Sequence, residues 1–347
     1  MFSPLGGYGL KNRGSKSKAT DFMPVSLFII VKNEKENLDV LMPLLLNQVY
    51  EGSFDIHLVD DQSTDGTQEA IQTWQSLYPK KIFLHTLQHD QAGGKKKAFL
   101  FGLEQSTQDL LLMTDADCRP ASVHWIQKMV LALGTEDGFV LGYSPYMPLK
   151  NHIQGLIQLE TSYTALLYLG LAVRNIGYMG VGRNLLYRKK VLVTSQTLTA
   201  YQHVLSGDDD LTINELSTNN NIGIQLDPDS FVYSIPKPNW GQWLQQKSRH
   251  VSTARYYRPL HQLLLVCFYS TFILSWALPI LMYWFWPPIL LVFLFSKLVY
   301  YIVFKSIVKN ILKQDWSVVG WLIAEAKYAV SLIYLTPSVL YKKVKKW

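Results

Sequence analysis

The sequence predicts an α/β domain built from βαβ units, followed by apolar helices. Three observations carry that prediction. Short runs rich in β-branched residues alternate with helix-patterned stretches through the first part of the chain. Two of those runs end in pairs of acids. From about Leu260 the composition turns apolar over lengths that match a bilayer.

The elements follow in order. "VSLFIIV" (25–31) reads as a buried strand, and "KNEKENLDVLMPLLLNQVY" continues with helical spacing. "FDIHLVDD" (54–61) alternates at period two and closes on Asp60 and Asp61. "TDGTQEAIQTWQSL" opens with Thr and Asp, residues that cap a helix start. "KIFLHTL" (81–87) is a third strand, and "GGKKKAFLFGLEQS" starts another helix. "DLLLMT" (109–114) is a fourth strand, with a helix begun by Pro120 in "PASVHWIQKMVLAL". Strands joined to helices by short loops argue a parallel sheet whose ligands bind at the strand carboxyl ends. After about residue 145 the alternation fades. "NHIQGLIQLETSYTALLYLGLAV" reads as a long helix, and "GYMGVGRNLLYRKKVL" as turn, strand and helix start.

The apolar part begins with 263–286, "LLLVCFYSTFILSWALPILMYWFW", which has no formal charge and is long enough to cross a bilayer. "PPILLVFLFSKLVYYIVFK" is a second span interrupted only by Lys297. The third segment, 318–335, carries Glu325 and Lys327 and is either a packed span or an interfacial helix. The formal charge of the 347-residue chain is +7, and its basic residues cluster around these segments. They are Lys247, Arg249, Arg255 and Arg258, then Lys305, Lys309 and Lys313, then 342–346. The positive-inside rule places all three clusters on the cytoplasmic side, which favours two spans plus an interfacial helix. This distribution argues against a nucleic-acid groove. Cys118 and Cys267 lie in unlike contexts and suggest no disulfide, as expected of a reducing compartment. The expected organisation is a loose polar tail without secretory signal (1–23), a catalytic α/β domain (24–240), an interfacial amphipathic helix (241–259) and membrane helices (260–347). The expected location is the inner (plasma) membrane with the α/β domain in the cytoplasm.

Four clusters can carry chemistry. Asp115 and Asp117 end a buried strand one residue apart, a pair suited to a hard divalent cation that also holds phosphate; the alternative is helix capping. Asp61, with Asp60 beside it, can accept hydrogen bonds from a ribose or base, yet no G-x-G-x-x-G loop follows the first strand, which argues against a dehydrogenase. Asp65 and Gly66 read as turn residues. Lys95 follows two glycines at a helix start and can meet a phosphate, although the P-loop spacing is missing. Lys96 and Lys97 read as a solvated helix start. Asp208, Asp209 and Asp210 exceed what capping one helix needs, and crowded carboxylates raise one another's pKa, as suits a general base. Trp240, Trp243, Tyr256 and Tyr257 suit an interfacial belt, and Arg249 can clamp a diphosphate through its planar fork.

In order and spacing, "VSLFIIVKNEKENL", "VDDQSTDGT", "GGKKKAF", "DADC", "GVGRNLLYRKK", "GDDDL" and "QKSRH" resemble the inverting family 2 glycosyltransferases of GT-A fold, from about Pro24 to Tyr257. The resemblance implies a mixed, Rossmann-like sheet, a nucleotide-sugar donor and a divalent metal, Mg²⁺ or Mn²⁺. It makes Asp61 and Asp60 donor-binding acids and Asp115 and Asp117 the DxD pair, with Asp117 nearer the metal. Asp208 or Asp209 matches the base, Asp209 narrowly favoured. Gln246 and Arg249 match the Q-x-x-R-W element, whose tryptophan is His250 here, a departure that argues against processive polymer synthesis. The implied reaction has the base take the acceptor's proton while the metal and Arg249 stabilise the departing diphosphate. Arg249 precedes the first span closely, so the expected acceptor is a lipid or lipid-linked saccharide. Two alternatives are a polyisoprenyl-phosphate sugar transferase and an inactive, membrane-anchored nucleotide-sugar-binding protein. Cys118 reads as a packing residue, since a hard metal has little use for sulfur.

Overall fold

The computed structural model describes residues 23–87, 94–200 and 207–340. The expected tail up to residue 22 and the basic run 342–346 lie outside them. The chain divides into two compact units. One takes in the described residues up to Met147 together with Leu167–Ile235; the other takes in Pro148–Leu166 and the described residues from Pro236 onward.

The first unit holds a seven-stranded sheet. Its strands are β1 (Val25–Val31), β2 (Phe54–Asp60), β3 (Ile82–Thr86), β4 (Leu110–Asp115), β6 (Asp137–Gly142), β7 (Leu185–Arg188) and β8 (Asn221–Gln225). They lie in the order β3-β2-β1-β4-β7-β6-β8. The first four pair in parallel, as the βαβ reading requires. β7 runs antiparallel to β4 and to β6, which makes the sheet mixed. The chain leaves β1 toward β2 and β3, then returns to place β4 on the other flank. That reversal opens a crevice beyond the carboxyl ends of β1 and β4, where open α/β sheets take ligands. In register, Ile30 faces Asp115 and Val31 faces Asp60, so both acidic strand ends stand level at this crevice.

Helices cover both faces. α1 (Lys35–Leu46) and α4 (Trp125–Leu131) bury Leu38, Leu41, Met42, Leu45, Trp125 and Met129 with Val25, Leu27, Ile29 and Val31 of β1. α2 (Thr67–Leu77) follows β2. α3 (Lys95–Gln105) comes so close to the sheet that a Cβ on Gly102 would lie 2.1 Å from Phe28 Cζ. Pro120 does not begin a helix as expected. It ends the short strand β5 (Cys118–Pro120), which pairs antiparallel with β9 (Val232–Ser234), and α4 starts only at Trp125. The Ala121 amide, bonded to Phe231 O, holds this ribbon beyond the paired residues.

In the second unit, the first part of α5 (Gln154–Ala172) and α9 (Trp240–Val251) pack with α10 (Pro259–Met282), α11 (Ile289–Ile311) and α12 (Val318–Leu340). Three helical stretches, Pro259–Met282, Ile289–Ile311 and Val318–Thr336, are long and apolar enough to cross a membrane. The third includes the segment expected to be span or interfacial helix, and both of its charges meet protein groups. Glu325 Oε2 accepts from Lys297 Nζ at 3.1 Å, and its Oε1 accepts from Tyr163 Oη at 2.9 Å. Lys327 Nζ donates to His152 O at 2.7 Å. Lys297 also donates to Ser275 Oγ at 3.2 Å and lies 4.7 Å from the Trp276 ring. One buried pair thus joins α10, α11, α12 and α5. Two of the expected belt aromatics are interior: Trp243 is 1% and Tyr257 7% exposed.

Removing one partner of a buried ion pair strands the other charge. Glu325→Gln is expected to destabilise the helical unit by about 3–5 kcal/mol, and the double change Lys297→Met with Glu325→Leu to recover most of the loss. Unfolding of the detergent-solubilised chain followed by circular dichroism measures both.

Candidate active site

Two loops build the floor of the crevice. Asn33, with φ of 57°, turns the chain after β1. Its side-chain oxygen accepts from Thr64 N at 2.8 Å, and its amide donates to Ser63 Oγ at 2.9 Å. Glu34 N donates to Thr67 Oγ1, and Asp65 Oδ1 accepts from Thr67 N. Asp65 and Gly66, the latter at φ of 87°, are turn residues as expected.

Asp60 and Asp61 are both buried. The Asp60 carboxylate accepts from Ser63 N at 3.3 Å and closes its own turn. Asp61 accepts from Lys32 Nζ at 3.4 Å and from Gly94 N at 3.0 Å. It therefore fixes the residue from which α3 starts. Lys32, not singled out from the sequence, stands one residue beyond β1, where the register brings it level with the acids after β2.

Lys95, Asp115, Asp208 and Asp209 line one pocket together with Ile30, Thr114 and Gly182. The Lys95 ammonium is 3.2 Å from Asp115 Oδ1 and 3.4 Å from Asp208 Oδ2. Partial burial works against that charge, but Asp115, Asp208 and Asp209 outweigh it and hold the ammonium well above its ordinary pKa. Lys96, expected to be solvated, is 5% exposed, and burial depresses its pKa against the pull of Asp208, Asp209 and Asp210.

The acidic run divides its work. Asp209 is the N-cap of α8 (Asp210–Leu216): its Oδ1 accepts from Asp210 N at 3.0 Å. Its Oδ2 accepts from Gly182 N at 2.6 Å. A Cβ on residue 182 would approach that oxygen to 3.0 Å, which favours the glycine. Burial, and then the neighbouring Asp208, raise the Asp209 pKa. The Asp208 side chain keeps 13% exposure and faces Lys95. Gly182 belongs to the "GVGRN" stretch, but only the folded contact reveals its amide as a partner of Asp209.

Asp117 lies beside Asp115, held by the β5–β9 ribbon. Its backbone oxygen accepts from Ile235 N at 3.2 Å, and its Oδ1 lies 3.4 Å from Ser234 Oγ. One ligand atom each from Asp115, Asp117 and Cys118 lie within 4.8 Å of one another. Burial, reinforced by both aspartates, pushes the Cys118 thiol pKa well up and keeps it protonated. Two carboxylates beside a neutral thiol suit a hard cation bound through oxygen. Cys118 is buried and Cys267 exposed, and both are free thiols.

Gln246 and Arg249 stand on α9, in the second unit. Asn239 caps that helix, its Oδ1 accepting from Gln242 N at 3.0 Å. Lys247 pairs with Glu160 at 2.6 Å, and the buried Nε of Arg249 has no hydrogen-bond partner among the described residues.

Residues 26–194 match the family model described as Glycosyl transferase family 2. That stretch, just under half of the chain, is thus similar to a family 2 glycosyltransferase domain. Two curated relatives agree. A "Dolichol-phosphate mannosyltransferase" of Pyrococcus furiosus is 31% identical over 121 residues, covering 35% of this chain and 33% of its own length. "Glycosyltransferase AglE" of Haloferax volcanii is 33% identical over 107 residues, covering 30% and 34%. The match thus spans a third of the length of either relative. Among solved structures, the mannosyltransferase PcManGT of Pyrobaculum calidifontis, in complex with GDP-Man and Mn²⁺, superposes with a TM-score of 0.59 at 16% identity. That superposition covers 93% of this chain and 88% of the other, and places the fold among GT-A proteins.

The two acids predict different losses. Asp209→Ala orphans the amides of Gly182 and Asp210 and is expected to cost about 1–3 kcal/mol of stability. Asp208→Ala, which frees no buried amide among the described residues, is expected to cost less than half of that. Chemical denaturation of the two variants beside the parent protein checks the difference.

Proposed function

We propose that the chain transfers a sugar, with inversion, from a nucleotide-sugar donor to a lipid or lipid-linked acceptor at the cytoplasmic face of a membrane. The observation that carries this reading is the meeting of Lys95, Asp115, Asp208 and Asp209 in one pocket at the sheet's crevice, with Asp117 beside Asp115. This is a place to hold a diphosphate beside a base.

The roles follow from charge and access. Asp115 and Asp117 would hold a divalent cation, Mg²⁺ or Mn²⁺, which supplies neutralising charge for the departing diphosphate. Lys95 adds a second positive charge to the same oxygens. Asp61, which anchors the start of α3, and Asp60, which closes the turn beside it, shape the nucleoside end. The sequence resemblance assigns Gln246 and Arg249 of α9 to the diphosphate, a role the planar guanidinium fork suits. The sequence narrowly favours Asp209 as base, but both of its oxygens already hold backbone amides. Asp208 is the better base. Among the described residues its carboxylate holds no backbone amide and pairs only with Lys95, and it would take the proton from the acceptor hydroxyl as that oxygen attacks in line. Asp209 then positions the turn.

A membrane-borne acceptor is supported by chain order. α9 ends at Val251 and the first long apolar helix opens at Pro259. Lys305 and Lys309, at the far end of α11, return basic charge to the side on which Arg255 and Arg258 precede α10, as expected of a cytoplasmic end. A second reading, transfer to a polyisoprenyl phosphate, is favoured by the printed name of the Pyrococcus furiosus relative. A phosphate attacks as an anion already and needs no strong base.

Turnover of Asp208→Asn separates the two. Loss of a general base lowers kcat by about 10²–10⁴-fold, whereas a phosphate acceptor leaves it near the parent value. The wider test incubates the protein with a panel of nucleotide sugars and its native membrane lipids and identifies products by mass spectrometry. A glycosylated lipid is expected. Products confined to water-soluble acceptors would contradict the membrane assignment, and no metal-dependent release from any donor would contradict the enzyme.

A further inference from the structure

Lys95 does more than line the pocket. It is the first residue of α3, and it follows Gly94, whose φ of 139° suits a glycine. Asp61 Oδ1 grips the Gly94 amide, so the start of the helix is fixed to the end of β2. From that fixed point the ammonium bridges Asp115, at the end of β4, and Asp208, in the turn before α8. No other ion pair reaches either acid among the described residues. One cation therefore serves both a proposed metal ligand and the proposed base.

We infer that Lys95 is a built-in stand-in for the donor's cation. In the donor-free protein it holds Asp115 and Asp208 together. When a metal–diphosphate complex enters, it gives up both acids and moves its charge to the phosphate oxygens. The inference rests on the nucleotide-sugar reading of this pocket and adds an order of events to it.

The consequences are electrostatic. A divalent cation arriving alone must displace an ammonium from Asp115 and leaves that ammonium without a new partner. Arriving with a diphosphate, it brings the partner with it. Lys95 thus penalises the metal alone and favours the metal with nucleotide, which is a coupling between two ligands and reciprocal by necessity. Asp208 loses its counter-charge at the same moment, so the proposed base is released only when a donor is present to be attacked.

The test reads binding, not turnover. Mn²⁺ affinity of the full chain is measured by electron paramagnetic resonance of free Mn²⁺, alone and with GDP or UDP. The proteins are the parent, Lys95→Met, Lys95→Gln and Lys95→Arg, with circular dichroism confirming that each is folded. Two neutral variants are used so that misfolding of one leaves the other to decide. Coupled sites commonly differ by about 5- to 150-fold. Within that range, the neutral variants are expected to bind Mn²⁺ alone more tightly than the parent and to gain less from nucleotide. Lys95→Arg is expected to follow the parent. Neutral variants that bind Mn²⁺ alone no more tightly than a parent that does bind Mn²⁺ with nucleotide would overturn this inference only. A parent that binds Mn²⁺ under none of these conditions would overturn the nucleotide-sugar reading and this inference with it.

Discussion

The gathering of carboxylates at the crevice is the constraint on which the rest of the site depends. Asp115, Asp208 and Asp209 share one pocket, and Asp117 lies beside the first of them. Like charges at this spacing are tolerated only if cations or hydrogen-bond donors answer them. The protein uses both. Lys95 answers Asp115 and Asp208, and backbone amides of Gly182 and Asp210 answer Asp209. Lys95 is the internal cation that answers this acid-rich pocket, and its charge is what the proposed metal would have to replace.

The fold exists in a form that brings these groups together. β1 and β4 end side by side at the reversal of strand order, which puts Asp115 at the mouth of the crevice. The β5–β9 ribbon then holds Asp117 from outside the main sheet. α3 delivers Lys95 because Asp61 grips the residue before it, and Gly102 lets the same helix lie close on Phe28 and Val59. The "GVGRN" turn before β7 supplies the amide that holds Asp209. Apart from Asp115 and Asp117, which are two residues apart, these groups come from different parts of the chain.

What could be read from the sequence was what is local. The first four strands show as short apolar or alternating runs, and the acids at the ends of β2 and β4 mark the ligand side. What could not be read depends on partners far away in the chain. Asp208 and Asp209 are indistinguishable as letters; only the amide of Gly182 makes one structural and leaves the other open. Lys32 follows an apolar strand like many lysines, and only strand register brings it to Asp61. Pro120 suggested a helix start because the ribbon partner, Val232–Ser234, is far downstream. β8 lies where the alternation of strand and helix has broken down, and β6, just before that point, was not singled out from the sequence. Glu325 and Lys327 looked like interruptions of an apolar segment, yet Glu325 answers Lys297 on the preceding helix.

If this pocket binds a sugar diphosphate with a metal, as proposed, the acceptor attacks from the opposite side of the anomeric carbon and inverts it. Proton NMR of the newly formed product tests it most directly, since anomeric coupling and chemical shift report the configuration of the transferred sugar. The expected product is inverted relative to the donor, formed with Mg²⁺ or Mn²⁺ and abolished by chelation. A product that retains the donor's configuration, or forms equally well after divalent ions are removed, would contradict it.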